Sequence, residues 1–110
     1  MKAAIFHPVA LETIHVFPRE VRKKLGKAIF ELQRGESVGM PLSRPMASVA
    51  AGVAELRIRG GDGIYRAFYY TRAPRGILVL HAFVKSSQAT PKRDLELGKK
   101  RLREMLNEEN

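Results

Sequence analysis

Between residues 53 and 59 (VAELRIR) apolar and polar side chains alternate. Ala54, Leu56 and Ile58 fall on one side, and Glu55, Arg57 and Arg59 on the other, which is the period of a half-buried strand. Gly60-Gly61-Asp62-Gly63 then supplies strong turn chemistry. Residues 64–72 (IYRAFYYTR) resume the alternation, with Arg66, Phe68 and Tyr70 on one side and Tyr65, Ala67 and Tyr69 on the other. After a second turn at Ala73-Pro74-Arg75-Gly76, residues 77–84 (ILVLHAFV) predict a third strand. Its parity sets His81, Phe83 and Lys85 against Leu80, Ala82 and Val84. The stretch from Glu55 to Lys85 therefore reads as three antiparallel strands joined by tight turns.

On either side the period changes from two to 3.6. Phe17, Val21, Leu25, Ala28, Ile29 and Leu32 form one apolar stripe, so a helix opens at Phe17-Pro18 with proline at its first position. Arg19, Arg22, Lys23, Lys24 and Lys27 lie mostly off that stripe. Gln33-Arg34-Gly35 ends the helix, with Gly35 suited to a left-handed cap. Thr90-Pro91 opens a last helix, threonine as N-cap and proline in the first position. Leu95, Leu102, Met105 and Leu106 supply its stripe, and charges of both signs alternate around it. Residues 2–6 (KAAIF) predict a short strand pairing with the later sheet, and residues 9–16 one or two helical turns. Residues 36–52, with two glycines, two prolines and three serines, read as a loop pinned by Met40, Leu42 and Met46. Leu56, Ile58, Leu78, Leu80, Ala82 and Val84 suit the sheet face that meets the helices. The opposite face then carries Arg57, Arg59, Arg66, Tyr70, His81, Phe83 and Lys85.

Composition narrows the class. The 110 residues read as a single domain over 1–110, and a hydrophobic content of 45% marks a globular chain. The absence of cysteine excludes disulfides, thiolate metal sites and a cysteine nucleophile. No apolar run approaches the roughly 18 residues of a membrane span, and the N-terminus lacks a secretory pattern. The expectation is a soluble, cytoplasmic protein. The net charge is +9 and the isoelectric point about 10.4. Such a balance either solvates helix faces or serves a polyanionic partner: RNA, DNA or an acidic protein segment.

A sheet face of cations with aromatics between them suits RNA, because phosphates need charge and unstacked bases need a platform. The plain alternative is a solvated face in which Glu55 pairs an arginine. The same residues suit phosphodiester cleavage by a 2′-hydroxyl, which needs a base, an acid and charge on the phosphorane. Arg57, Arg59 and Arg66 would supply the charge by forked hydrogen bonds. His81 titrates near neutrality and Lys85 would need a lowered pKa, so both are candidates for proton transfer. Arg59, Tyr70 and Phe83 would hold RNA. His7, His15 and His81 form no ligand spacing, so no metal and no cofactor are expected. Neither phosphate-cradling glycine motif is present.

The run FPREVRKKLGKAIFELQRGE, followed by ELRIR, GIYRAFYY, VLHAFVK and TPKRDLELGKKRL, resembles the phage-derived, HigB-like branch of the RelE/ParE toxin superfamily over roughly residues 10–106. The resemblance implies an α+β fold, a small twisted antiparallel sheet with helices packed on one face. It also implies the toxin of a type II toxin–antitoxin pair. RelE and HigB groups are ribosome-dependent, metal-independent mRNA endonucleases, and the partner in this branch is usually a helix-turn-helix antitoxin. Arg57, Arg59, Arg66 and Lys85 fall at the superfamily's basic positions. The chain departs from the pattern after Lys85: KSSQATP stands where relatives often carry KKTQKTP, so Ser86 and Ala89 replace lysines. The ParE group shares the fold but inhibits DNA gyrase without cutting RNA. A non-enzymatic inhibitor, or a nucleic-acid-binding module of phage origin without toxicity, therefore stays open beside the mRNA endonuclease.

Overall fold

The computed structural model describes residues 1–86 and 89–108. In chain order the elements are β1 (Ala3–Phe6), α1 (Pro8–His15), α2 (Arg19–Gln33), β2 (Ser43–Pro45), β3 (Val53–Gly60), β4 (Gly63–Ala73), β5 (Gly76–Lys85) and α3 (Lys92–Asn107). The α+β class is as expected. The strands form one sheet in the order β1-β5-β4-β3-β2. The three central strands are antiparallel, joined by the two expected tight turns. β1 joins β5 in parallel, so the sheet is mixed. β2 lies inside the stretch read as a loop, pairing with β3 from Ser43↔Leu56 to Pro45↔Ala54. Three residues are too few for alternation to register, and Pro45 is tolerated because β2 is an edge strand.

One sheet face is built as the helical pattern requires. Phe17, Val21, Leu25, Ala28, Ile29 and Leu32 are all buried, against Leu56, Ile58, Tyr65, Ala67, Tyr69, Ile77 and Val79. Ile14 of α1 joins them. The Ser43 and Tyr69 hydroxyls share a 2.6 Å hydrogen bond on this side and fasten β2 to the sheet. Pro18 is the N-cap of α2 rather than its first helical residue. At the other end the Glu36 N–H donates to the Glu31 carbonyl and the Gly35 N–H to that of Leu32, both at 3.0 Å. Gly35 has φ 85°, so this is a Schellman cap.

The other face departs from simple alternation. Phe68 pairs with His81 but Tyr69 pairs with Val79, leaving Leu80 as an extra residue. This bulge turns Leu80 and His81 to the same side. Leu78 and Leu80, expected under the helices with Ala82, therefore lie on the cationic face. α3 crosses that face, with Leu102 and Met105 buried against Phe68, Leu78 and Leu80, and Leu95 and Leu106 beside them. The expectation of helices on one face is corrected accordingly: α1 and α2 lie on one side and α3 on the other. Gly98 permits this contact, because a Cβ there would come 2.8 Å from Cδ2 of Phe68. Pro91, not Thr90, is the N-cap of α3. Met40, expected to pin its loop, is 76% exposed.

Candidate functional site

On the α3 side the register arranges β3, β4 and β5 in cross-strand rows. They run Val53–Tyr70–Leu78, Glu55–Phe68–His81, Arg57–Arg66–Phe83 and Arg59–Ile64–Lys85. β2 adds Arg44 opposite Glu55. The face thus changes from apolar at Leu78 to cationic beside the Gly61-Asp62 turn. α3 covers the apolar half; of the cationic half, Arg44, Arg59 and Lys85 are exposed, while Arg57 is only partly so and Arg66 is buried.

Where the two halves meet, charges are buried. Glu55 and Arg66 are both 0% exposed. Arg57 stands directly across from Arg66, an arrangement of like charges that destabilises a sheet unless offset. Glu55 offsets it: its Oε1 lies 3.4 Å from Nε of Arg57. The Thr90 hydroxyl donates to Oε2 of Glu55 at 3.4 Å and accepts from Nη1 of Arg66 at 3.4 Å. The residue expected to cap α3 is instead a bridge in this network. Arg66 also donates to the Ala89 carbonyl at 3.3 Å and lies over the Phe83 ring at 5.8 Å. Burial raises the Glu55 pKa, while Arg66, Arg57, Arg44 and the Thr90 hydroxyl pull it down. Burial lowers that of Arg66.

His81 is held from both sides by α3. Nη1 of Arg101 is 2.8 Å from Nδ1, and Oδ1 of Asp94 is 2.7 Å from Nε2. A guanidinium only donates, so Nδ1 accepts and Nε2 carries the proton that goes to Asp94. The ring is therefore neutral. Burial lowers its pKa first; the Asp94 hydrogen bond opposes that shift and Arg101 reinforces it. His81 stacks on Phe83 at 5.2 Å and 21°.

The exposed rim is formed by Arg44, Arg59 and Lys85. Between β3 and the loop before β2 a cleft of about 430 Å³ opens. It is lined by Arg44, Arg57 and Arg59 together with Met40, Pro41, Leu42 and Ile64. The Arg57 N–H donates to the Leu42 carbonyl at 2.8 Å, tying that loop to β3.

Residues 12–103 match the family of phage-derived Gp49-like proteins (DUF891). The chain belongs to that family. No curated protein matches it. The match spans every strand of the Gp49-like chain except β1, and with them the whole cationic face.

Of the residues singled out in this Gp49-like sequence, Arg57, Arg66 and Phe83 form one row, and Arg59 and Lys85 the next. His81 sits one row behind, under α3. Tyr70 is at the far end beside Leu78, separated from Lys85 by the other rows. Arg44, Glu55, Asp94 and Arg101 belong to the network without having been singled out as site residues. Arg44 carries no sequence signal, because its strand of three residues is too short to alternate. Asp94 and Arg101 carry a legible signal: seven residues apart, they share one helix face, and that face bears the leucine stripe. Among the described residues no helix is long and apolar enough to cross a membrane.

Proposed function

We propose that this protein is the toxin of a type II toxin–antitoxin pair and acts in the cytoplasm as a metal-independent mRNA endonuclease on the ribosome, in the manner of the HigB-like RelE/ParE branch. The observation that carries this reading is the row structure. Arg57, Arg59, Arg66, Phe83 and Lys85 occupy two adjacent rows at the open end of one face, with Arg44 beside them. In the reaction the 2′-oxygen attacks phosphorus and loses its proton, the bond to the 5′-oxygen breaks, and that oxygen gains a proton. The guanidiniums of Arg57 and Arg59 stabilise the phosphorane charge. Lys85, at the exposed rim, is the proton-transfer group. Arg66 and His81, both buried, hold Arg57 and Phe83 in place; Phe83 offers aromatic surface in the Arg57 row, whereas Tyr70 lies apart from it at the far end of the face. A helix-turn-helix antitoxin is the expected partner of the basic surface.

The burial of His81 and Arg66 favours one second reading, a non-enzymatic inhibitor of DNA gyrase like the ParE group. Induction of the protein without its neighbour gene, followed by mapping of mRNA 5′ ends, separates the two. New 5′ ends within translated reading frames are expected. Intact transcripts together with blocked supercoiling would establish the second reading instead.

A further inference from the structure

We propose that the cleft between β3 and the loop before β2 is a subsite for one unstacked nucleotide of RNA, its base against Met40, Leu42 and Ile64 and its phosphate on Arg44, Arg57 and Arg59. The inference rests on the RNA reading above and names where on the molecule a nucleotide sits.

The cleft has the chemistry of its ligand in its lining. A nucleotide is an apolar plane joined to an anion. Here Met40, Leu42 and Ile64 line the same cleft of about 430 Å³ as Arg44, Arg57 and Arg59, within the usual range for small-ligand pockets of roughly 300–1,000 Å³, and Ile64 pairs directly with Arg59 across β3 and β4. Met40 is 76% exposed, although it sits in a chain with an apolar core to join. A flexible thioether adapts to an aromatic plane laid against it, and guanidinium planes also stack on bases. Glu55 is a positioning residue for this subsite. Its Oε1 lies 3.4 Å from Nε of Arg57, and Arg44 stands across from it on β2, so it holds one guanidinium of the cleft and draws on the charge of a second. Because its carboxylate is 0% exposed, it fixes the arginines without presenting a negative charge to the incoming phosphate.

The test uses the full chain with methyl-labelled side chains, and adenosine 3′,5′-bisphosphate as the probe. Saturable shifts are expected at the methyls of Met40, Leu42 and Ile64, and inorganic phosphate at equal concentration should leave the Met40 methyl unmoved. Arg44→Ala should weaken binding about tenfold or more, the scale of one charge-assisted hydrogen bond. Met40→Ala should weaken it about fourfold, the scale of one buried methylene equivalent. Both side chains are exposed, so both variants retain the fold. Glu55→Gln, rescued in part by Glu55→Asp, should lower affinity for the bisphosphate more than for a neutral nucleoside. Methyl shifts that leave Met40, Leu42 and Ile64 unmoved, or unchanged affinity in both Arg44→Ala and Met40→Ala, would overturn the subsite. So would a glutamate-rich peptide that takes the cleft in preference to the bisphosphate. A parallel assay in a translation extract keeps the two claims apart. Bisphosphate binding without cleavage removes the endonuclease reading and leaves the subsite; cleavage without binding in the cleft does the reverse.

Discussion

On the α2 side of the sheet, Leu56, Ile58, Ile77 and Val79 meet Val21, Leu25, Ile29 and Leu32 in an apolar layer. On the α3 side, Phe68, Leu78 and Leu80 share a surface with Glu55, Arg66 and His81. The aliphatic contacts of the first layer accept volume-conserving apolar swaps at modest cost, because apolar packing is non-directional. The second depends on named partners, because a buried charge that loses its counter-charge is costly. The difference separates support from function. The α2 layer holds the sheet together, and the α3 layer holds guanidiniums in fixed positions at its open end.

The comparison is broken most severely at Glu55. Glu55→Ala leaves Arg57 and Arg66 opposed across the strands and should cost about 3–5 kcal/mol, read from the shift of a denaturant midpoint. The double variant Glu55→Met/Arg66→Met should recover much of that loss, since replacing a buried pair by apolar side chains is often neutral, while abolishing RNA cleavage. Leu25→Ala on the other layer should cost about 2–5 kcal/mol through its cavity and leave cleavage per folded molecule unchanged. If instead the double variant stays as unstable as the single one, the stabilising role assigned to Glu55 is wrong.

These layers also differed in how far the sequence disclosed them. Every residue of the Phe17-to-Leu32 stripe is buried as its spacing predicts, because a helix on an apolar layer obeys one period. The cationic side of each strand was assigned correctly by parity. What parity missed was Leu78 and Leu80, displaced by a bulge that alternation does not encode. It also missed α3 over the second face, because the α3 stripe says only that the helix packs, not where. The buried state of Arg66 and His81 was hidden for a further reason. Their partners come from three other places, Glu55 from β3, Thr90 from the residues before α3, and Asp94 and Arg101 from α3, and only the assembled sheet brings them together.

Gly98→Ala sharpens the point that α3 rests directly on Phe68. The added methyl, 2.8 Å from a buried ring, should cost about 1–3 kcal/mol by overpacking, outweighing a helix-propensity gain of about 1 kcal/mol. Thermal unfolding checks it, and a stabilised variant would mean that α3 has room to shift.

The His81 clamp predicts a pH dependence with a definite sign. Its folded pKa is held below the ordinary 6.5, so the unfolded chain binds the proton more readily. The stability of the neutral ring is complete above pH 6.5 and is lost as the pH falls below it towards the folded value. Glu55 has the opposite sign: its raised pKa means that ionisation costs stability as pH rises from 4.5. His81→Gln keeps an acceptor for Arg101 and a donor for Asp94 without a titrating ring. The difference in melting temperature between the two proteins should therefore change on acidification below 6.5; parallel curves would count against the clamp.

The smallest effect on stability is expected at the rim, where Arg59→Ala should stay within about 0.5 kcal/mol of the parent. That makes it the sharpest probe of the central claim, that the cations of the α3-side face, and not those along α2, meet RNA. The direct measurement is mRNA cleavage in a translation extract by Arg59→Ala beside a Lys23→Ala/Lys24→Ala/Lys27→Ala variant, both checked for folding. The account predicts that Arg59→Ala loses about tenfold or more of the cleavage rate while the α2 variant keeps the parent rate. A fully active Arg59→Ala, or loss of activity only in the α2 variant, would contradict it.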